Sequence, residues 1–246
     1  MRRVTWLGHA TVLLDIGGVR LLTDPVLRTR IMHLRRHVAP AADPGRLDAV
    51  LVSHVHYDHL DRPSLRRVAK PGVTAVLPTG AERFVTGMGF AAVRQLRAGE
   101  TLDVAGLAVE AVPAWHDGRR RPGPGGTEHD TLGFLVDGIW FAGDTDLHDD
   151  MRALRGRVDV ALIPIWGWGP SLGPGHLDPE RAADAVALIR PRIAIPIHWG
   201  TFLPVGLGRR HGHLLSEPAE LFAAQVAQRA PEVRVKTIPP GGSLGV

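Results

Sequence analysis

The sequence contains no cysteine among its 246 residues. Disulfide bonds, thiolate metal ligands and cysteine nucleophiles are therefore all excluded. Tyrosine occurs once and phenylalanine six times, yet the chain carries 13 histidines. Without thiolates, a site for a transition metal has to be built from imidazole and carboxylate groups, as in zinc, manganese and iron hydrolases. The histidines are therefore the first feature that needs an explanation.

Lysine is also scarce, because Lys70 and Lys236 are the only lysines among 29 basic residues. The other basic residues are arginines, and the formal net charge is +4. Arginine pairs well with phosphate, which favours an anionic substrate, although an arginine-rich genome would produce the same composition. Because the basic residues form no continuous block, we expect no nucleic acid partner.

Long apolar runs are missing too, since none approaches the roughly 18 residues of a membrane-spanning helix. His9 and Asp15 interrupt the apolar N-terminal stretch, and no small-residue cleavage site follows it. We therefore expect a cytoplasmic protein without a transmembrane segment, while peripheral membrane contact and the oligomeric state stay open. No linker or repeat divides the sequence, so we expect one domain over residues 1–246.

Apolar segments of strand length recur along the chain and end in Gly, Pro, Asp or His. These predicted strands are Val12–Ile16, Val19–Leu22, Ala49–Val52, Thr74–Leu77, Leu107–Val112, Leu132–Val136, Ile139–Ala142, Val158–Ile163, Ile193–Ile197 and Val233–Ile238. The predicted helices are Pro63–Ala69, Glu82–Met88, Pro179–Ile189 and Pro218–Ala230, and the predicted long loops are Arg28–Ala42, Arg119–Thr127 and Trp166–Gly175. Early hairpins followed by alternating strands and helices predict a mixed sheet sandwich covered by helices.

The strongest motif directly follows the predicted strand Ala49–Val52 and reads SHVHYDHLD. Residues at i, i+2 and i+4 diverge on a helix, so these side chains are not ligands on one helical face. In an extended segment residues i and i+2 share a face, which lets His54 and His56 bind one ion. The chain must then turn, so that Asp58 and His59 reach a second, adjacent site. The alternative is a solvated turn that merely contains three histidines.

The HxHxDH pattern resembles the signature of the metallo-β-lactamase superfamily of two-metal hydrolases. His116, Asp144 and His198, each after a predicted strand, match the remaining family positions in order, so the resemblance covers essentially the full chain. The segments WLGHAT, LTDP, HVHYDHLD, GDT, GHLDPE and IHWGTF resemble the branch of N-acylphosphatidylethanolamine-hydrolysing phospholipase D and L-ascorbate-6-phosphate lactonase-like proteins. The resemblance implies an α/β fold, the four-layer αββα sandwich.

The resemblance also implies seven metal ligands. One ion would be held by His54, His56 and His116, a second by Asp58, His59 and His198, and Asp144 would bridge the two. The ions would be zinc, with manganese or iron as alternatives, and a hydroxide shared between them would attack the substrate. Asp58, Asp144 and His176 would be catalytic, His176 by stabilising negative charge or protonating the leaving group.

Other candidates have two readings each. His176 could instead simply precede a helix that Asp178 caps. Asp24 is expected to support the metal ligands, and His9 to be a buried hydrogen-bonding residue. Four aromatic residues could line a pocket or pack in the core, namely Trp166, Trp168, Trp199 and Phe202. The cations Arg119, Arg120 and Arg121 could bind phosphate or form a solvated charge run.

The resulting hypothesis is a metal-dependent hydrolase that cleaves a phosphodiester or related ester in a small-molecule or lipid-like substrate. A lactonase acting on a sugar-acid or phosphorylated lactone is the nearest alternative. A nuclease is a further alternative, although the segment between Asp144 and His198 is too short for a large inserted domain. A non-catalytic metal-binding protein is the last, and the complete ligand set argues against it.

Overall fold

A computed structural model describes residues 1–121 and 127–246, so most of the predicted loop Arg119–Thr127 lies outside the described residues. The strands of the described part follow one another along the whole chain. They are β1 (Arg2–Gly8), β2 (Thr11–Ile16), β3 (Val19–Thr23), β4 (Arg30–Ile31), β5 (Leu34–Arg36), β6 (Ala49–Leu51), β7 (Thr74–Pro78), β8 (Ala92–Leu96), β9 (Thr101–Val104), β10 (Leu107–Pro113), β11 (Leu132–Val136), β12 (Ile139–Phe141), β13 (Val160–Pro164), β14 (Ile193–Ile197), β15 (Phe202–Pro204), β16 (Arg234–Val235) and β17 (Ser243–Gly245).

The helices are fewer and lie mostly in the second half of the chain. They are α1 (Arg62–Val68), α2 (Pro179–Ile189), α3 (Gly208–His211) and α4 (Glu217–Arg229), with 3-10 turns at Glu82–Phe84, Asp149–Leu154 and Gly212–Leu215. Asp61 caps α1 and Asp178 caps α2, each by accepting a hydrogen bond from a backbone N–H three residues on. Proline in the first turn of each helix needs no such partner, so α2 begins at the predicted residue and α1 one residue before it.

Two seven-stranded sheets form the centre of the fold, in the orders β17-β1-β2-β3-β6-β7-β8 and β16-β14-β13-β12-β11-β10-β9. Along β2, Val12 and Leu14 pack into a core shared by both sheets, whereas Leu13 packs into a second core with Leu65 of α1. Strands β13 and β14 are buried along their whole length because α2 and α4 cover the outer face of the second sheet. This order of layers is the αββα sandwich, and the predicted fold is confirmed.

In each sheet, several strands have their carboxyl ends at the same edge. Strands β3 and β6 are parallel, as are β12, β13 and β14. An antiparallel strand separates β1 from β3 and β10 from β12, so the members of each pair also run in one direction. The loops after β1, β3 and β6 consequently meet the loops after β10, β12 and β14.

Two predictions of local structure are wrong. The expected loop Arg28–Ala42 contains β4 and β5, which pair with each other, and β5 also pairs with β15 in a small third sheet. The expected helix Glu82–Met88 is reduced to the 3-10 turn Glu82–Phe84. Gly87 and Gly89 both adopt positive φ, which ends the helical conformation there.

Candidate metal centre

Three histidines from the two sheets converge on one point. His54 and His56 follow β6, and His116 follows β10. His56 Nδ1 lies 3.0 Å from His54 Nε2 and 3.0 Å from His116 Nε2. The three ring planes meet at angles between 77° and 89°. Because an imidazole lone pair lies in the plane of its ring, three rings so arranged can direct nitrogen atoms at one ion.

A second group of ligand atoms lies beside the first. Asp58 and His59 belong to the loop after β6, and His198 directly follows β14. His59 Nε2 lies 3.1 Å from His198 Nε2 and 3.9 Å from Asp58 Oδ2. The ligand atoms of these three residues and of His9 all lie within 4.8 Å of one another. This spacing suits a second cation.

Asp144 follows β12 and contacts both groups. Its Oδ2 atom lies 3.2 Å from His59 Nε2 and 3.9 Å from His116 Nε2, while its Oδ1 atom lies 3.1 Å from His198 Nε2. The neighbouring Gly143 allows this approach, since a Cβ atom there would lie 2.8 Å from a backbone oxygen and from a side chain. The structure therefore brings together all seven residues predicted as metal ligands.

In His116 and His198, a hydrogen bond at Nδ1 determines that Nε2 is the nitrogen free to bind a cation. Gly175 O lies 2.8 Å from His116 Nδ1, and Trp166 O lies 2.7 Å from His198 Nδ1. A carbonyl oxygen can only accept, so both Nδ1 atoms carry the hydrogen. Burial lowers the pKa of His116 and lowers that of His198 to about 3, which keeps both rings neutral. Each Nε2 atom therefore presents a lone pair to the centre.

Asp24 likewise fixes the orientation of histidine rings, those of the loop after β6. It accepts hydrogen bonds from the backbone N–H of Ser53 at 2.7 Å and from its hydroxyl at 2.6 Å. His59 Nδ1 lies 2.7 Å from the same carboxylate, and Ser53 Oγ lies 2.9 Å from His54 Nδ1. Asp24 thus orients one histidine directly and a second through Ser53, as expected for a residue that supports metal ligands.

The charges at the centre favour a bound cation. Burial alone would lower the pKa of His59, but Asp144, Asp24 and Asp58 together raise it well above its ordinary value. Burial would raise the pKa of Asp144, yet His198 and His59 hold it well below the usual range. Among the described residues, Asp144 Oδ1 is buried and accepts no hydrogen bond. A carboxylate this buried, with one oxygen atom that accepts no hydrogen bond and faces imidazole nitrogen atoms, fits a divalent metal ion.

Two hydrogen-bond donors meet at Asp58. His9 Nε2 lies 3.0 Å and Trp168 Nε1 lies 3.1 Å from the same oxygen, Oδ2. Burial would raise the pKa of Asp58, but His59 and His9 hold it well below its usual range, so the carboxylate is ionised. Of the four aromatic residues singled out in the sequence, Trp168 is the one that lines the cavity described below.

The other three aromatic residues are not among the residues that line this cavity. Trp199 is buried and stacks on Trp6 with a centroid distance of 5.5 Å. Phe202 is buried beneath the guanidinium of Arg36, and Trp166 packs against the main core. Core packing is therefore the correct reading of Trp199 and Phe202.

His176 lies at the edge of the centre, in the loop before α2. Its Nε2 atom is 3.6 Å from Asp144 Oδ2, and its Nδ1 atom is 3.1 Å from Gly173 O. Asp178 caps α2, as the second reading of this segment predicts. A cavity of about 280 Å³ opens over His176 and Asp144. Its walls include Ile31, Met32, Leu34, Tyr57, Trp168 and Arg121.

The predicted arginine cluster divides into separate roles. Arg120 donates hydrogen bonds to the carbonyl oxygens of Val55 and Leu60, and its guanidinium lies 4.0 Å from the Tyr57 ring centroid. It therefore holds the loop that carries the first ligands and is not a solvated charge. Arg121 is exposed and lines the cavity, with Nε 3.3 Å from the Tyr57 hydroxyl.

Three residues of the centre have a left-handed backbone, which is unfavourable for residues other than glycine. Their φ angles are +54° at His9, +33° at Asp24 and +64° at His198. The backbone N–H of His198 donates to His9 O at 2.9 Å, which links two of the three. Such conformations persist where surrounding contacts hold them, and they concentrate at functional sites. Sequence reasoning missed the contact of His9 with Asp58, because a lone histidine after a strand carries no spacing signal.

Two facing sheets with histidine and aspartate ligands at their joined edges define a metal-dependent hydrolase of the metallo-β-lactamase fold. Residues 19–199 match the family described as Beta-lactamase superfamily domain, and the chain belongs to that superfamily. It is 35% identical over 254 residues to a UPF0173 metal-dependent hydrolase of Methanopyrus kandleri, an alignment that covers 98% of each chain. The predicted family is thereby confirmed.

Two further comparisons extend this result. The chain is 33% identical to N-acyl-phosphatidylethanolamine-hydrolyzing phospholipase D 1 of Caenorhabditis elegans, over 82% of this chain and 64% of that relative's length. Among solved structures, Igni18, a metallo hydrolase from the archaeon Ignicoccus hospitalis, superposes with a TM-score of 0.71 at 22% identity, covering 99% and 97% of the two chains. Within the described residues, no helix combines the length and apolar character needed to cross a membrane.

Proposed function

We propose that the chain, as one domain over residues 1–246, hydrolyses a phosphodiester or related ester with two divalent metal ions, zinc being the ion that best suits its ligands. The observation that carries the substrate class is the cavity over Asp144 and His176, which has apolar walls and a cationic rim. The motifs shared with phospholipase D-like hydrolases and the relative in Caenorhabditis elegans support the same class.

The seven residues at the joined sheet edges would hold the ions in two groups. The first group is His54, His56 and His116, the second is Asp58, His59 and His198, and Asp144 contacts both. When bound, the two ions supply a water molecule of lowered pKa and stabilise negative charge that develops on the attacked group. Oδ1 of Asp144 is buried and has no hydrogen-bond donor among the described residues. This observation is the strongest support for a cation at these residues.

The chain itself orients the ligands and excludes water. The carbonyl oxygens of Trp166 and Gly175 fix the rings of His198 and His116, so that these nitrogen atoms need no rearrangement when an ion binds. His54, His59, Asp144 and His198 are all buried, and the centre is reached from the side of the cavity. Such burial strengthens electrostatic interactions at the reacting group.

His176 is placed to move a proton on the open side of the centre. Because Gly173 O accepts from Nδ1–H, Nε2 is the nitrogen that takes up or releases a proton toward the cavity. Its position 3.6 Å from Asp144 Oδ2 puts that proton beside the leaving group of a substrate seated over Asp144. His176 would thus protonate the departing oxygen.

The cavity indicates a substrate with two parts. Ile31, Met32, Leu34 and Trp168 offer an apolar wall, whereas Arg121 adds a positive charge at the rim. A guanidinium group binds a phosphate oxygen well, and apolar walls exclude water from an acyl or aryl substituent. A phosphodiester with one apolar substituent satisfies both features.

The test combines metal analysis with a substrate panel. We expect about two transition-metal ions per chain after purification from zinc-replete medium, in keeping with the dinuclear scheme. The panel contains bis(p-nitrophenyl) phosphate, an N-acyl phosphatidylethanolamine, a sugar-acid lactone and single-stranded RNA. We expect turnover of the phosphodiesters and no turnover of the lactone or the RNA.

Matched variants identify the site responsible. Asp144→Ala should abolish turnover, and Asp149→Ala should retain it, because the Asp149 carboxylate is 95% exposed and lies away from the centre. Turnover that survives Asp144→Ala would contradict the assignment of Asp144. Preferential hydrolysis of the lactone or of RNA would replace the phosphodiester class, and a loaded protein that turns over none of the four would favour a non-catalytic role.

A further inference from the structure

His9 contacts the metal centre without belonging to the seven assigned ligands. It directly follows β1, and 1% of its surface is exposed. Its Nε2 atom lies 3.0 Å from Oδ2 of Asp58. Because an ionised carboxylate only accepts hydrogen bonds, this nitrogen carries the hydrogen and donates it. The nitrogen that faces the centre is therefore used for Asp58 and offers no lone pair to an ion.

The ring of His9 also contacts a second proposed metal ligand, His198. The ring centroids of His9 and His198 are 3.9 Å apart, with 33° between the planes. At that distance the two rings are in van der Waals contact. The His9 ring therefore packs against the ring of His198, while its Nε2 atom is engaged by Asp58.

The backbone holds His9 in this position. Its N–H donates to Thr201 Oγ1 at 2.7 Å, and its carbonyl oxygen accepts from His198 N at 2.9 Å and from Trp6 Nε1 at 2.8 Å. These bonds fix a left-handed backbone with φ of +54°. Since both the backbone and the ring are fixed, the carboxylate of Asp58 and the ring of His198 are held in place before any ion binds.

These contacts concern one half of the centre. Asp58 and His198 both belong to the second group of ligands. With the first group, His54, His56 and His116, His9 makes no hydrogen bond or ring contact in the described part of the chain. Removal of the donor should consequently affect the two ions unequally.

We propose that His9 is a positioning residue that selectively strengthens binding of the second ion, by donating to Asp58 and supporting the ring of His198. This inference rests on the two-ion function proposed above. Loss of a hydrogen-bond partner behind a metal ligand typically weakens metal affinity by about 10- to 100-fold. The effect is expected only on the ion held by the second group of ligands.

Two amide variants separate the roles of the donor and of the fold. In His9→Gln the side-chain amide reaches the position of Nε2 and can still donate to Asp58. In His9→Asn the amide is too short to reach, although asparagine tolerates a left-handed backbone better than most residues. Metal-free wild type and both variants are titrated with Co²⁺, followed by calorimetry and by visible absorption. Thermal unfolding of each metal-free protein, followed by circular dichroism, measures the fold.

Wild type should bind Co²⁺ in two steps. In His9→Asn the step that fills the second group of ligands should weaken by about tenfold or more while the other step changes by less than about threefold, and His9→Gln should restore most of the loss. Unchanged binding in His9→Asn, equal weakening of both steps, or equal loss of the step that fills the second group in both variants would overturn the proposal. A wild-type chain that binds fewer than two ions would instead contradict the proposed function itself.

Discussion

Asp24 Oδ2 lies 2.7 Å from His59 Nδ1, and both side chains are fully buried. The same carboxylate accepts two hydrogen bonds from Ser53, whose hydroxyl contacts His54. One buried carboxylate therefore orients a ligand from each of the two groups. If two ions bind as proposed, the influence of Asp24 would extend over both of them, whereas that of His9 would be confined to one.

Replacement of Asp24 tests this relationship. Asp24→Asn removes the negative charge and one acceptor oxygen while keeping the size of the side chain and tolerating the positive φ. We expect both metal-binding steps to weaken, each by about 10- to 100-fold, measured by competition with a chelator. Asp43→Asn is the matched control, because the Asp43 carboxylate is 76% exposed. A loss confined to one step would show that Asp24 acts on one ligand only.

Arg120 is expected to stabilise the ligand loop rather than to bind substrate. In Arg120→Lys the ammonium cannot reach the carbonyl oxygens of Val55 and Leu60 together while stacking on Tyr57. We expect the free energy of unfolding to fall by about 1–3 kcal/mol in urea titrations, because buried carbonyl groups lose their donor. Arg94→Lys, at an exposed position of β8, should change it little. An Arg120→Lys protein of unchanged stability but raised KM would instead identify a substrate-binding residue.

How much of this centre the sequence predicts depends on whether the signal is local. His54, His56, Asp58 and His59 fall within one short segment after a buried strand, so their spacing alone indicates a metal site. His198 and Asp144 have no such local signal, and family resemblance supplies them. The carboxyl ends of the strands then bring all of them together.

Contacts between distant segments escape sequence reasoning. Strand β5 pairs with β15, far along the chain, so the segment Arg28–Ala42 shows no periodicity that would predict a sheet. In the sequence, Arg120 likewise cannot be distinguished from an exposed arginine. Its role depends on contacts with Val55 and Leu60, which lie far away along the chain. The left-handed backbone of His9 and Asp24 depends on tertiary hydrogen bonds, and no sequence pattern predicts these bonds.

Met32 tests the apolar wall of the cavity. Its side chain is 63% exposed and its φ is +47°, a value that asparagine accepts. We expect Met32→Asn to raise KM about fivefold for a phosphodiester with a long acyl chain, the equivalent of about 1 kcal/mol of lost apolar contact. KM for bis(p-nitrophenyl) phosphate should stay the same. Leu221→Asn, a change at an exposed leucine of α4, should alter neither value. An equal rise in KM for both substrates would contradict the assignment of Met32 to an apolar substrate-binding wall.

His148 tests the electrostatics of burial away from the metal centre. Its ring stacks on Trp115 at 5.4 Å, and neither ring nitrogen has a hydrogen-bond partner in the described residues. Burial lowers the pKa of His148 below 6.5, although Asp150, Asp146 and Asp149 act in the opposite direction. The unfolded chain therefore binds this proton more tightly, and wild type loses stability as the pH falls below that value.

His148→Phe keeps the stack on Trp115 and removes the two unpaired nitrogen atoms. We expect it to raise the free energy of unfolding by about 1 kcal/mol near neutral pH, because buried polar groups without partners are costly. The gain should be larger at about pH 5 than at about pH 8, as proton linkage requires. His213→Phe, at an exposed histidine, serves as the control. A gain that shrinks toward acid pH would contradict the account of His148.

The central claim is that the residues at the joined sheet edges hold two ions. Crystals grown with zinc, with anomalous diffraction measured on both sides of the zinc absorption edge, test it most directly. The account predicts two peaks, one among His54, His56 and His116 and the other among Asp58, His59 and His198, each next to Asp144. A single peak, no peak, or a peak coordinated by His9 would contradict it.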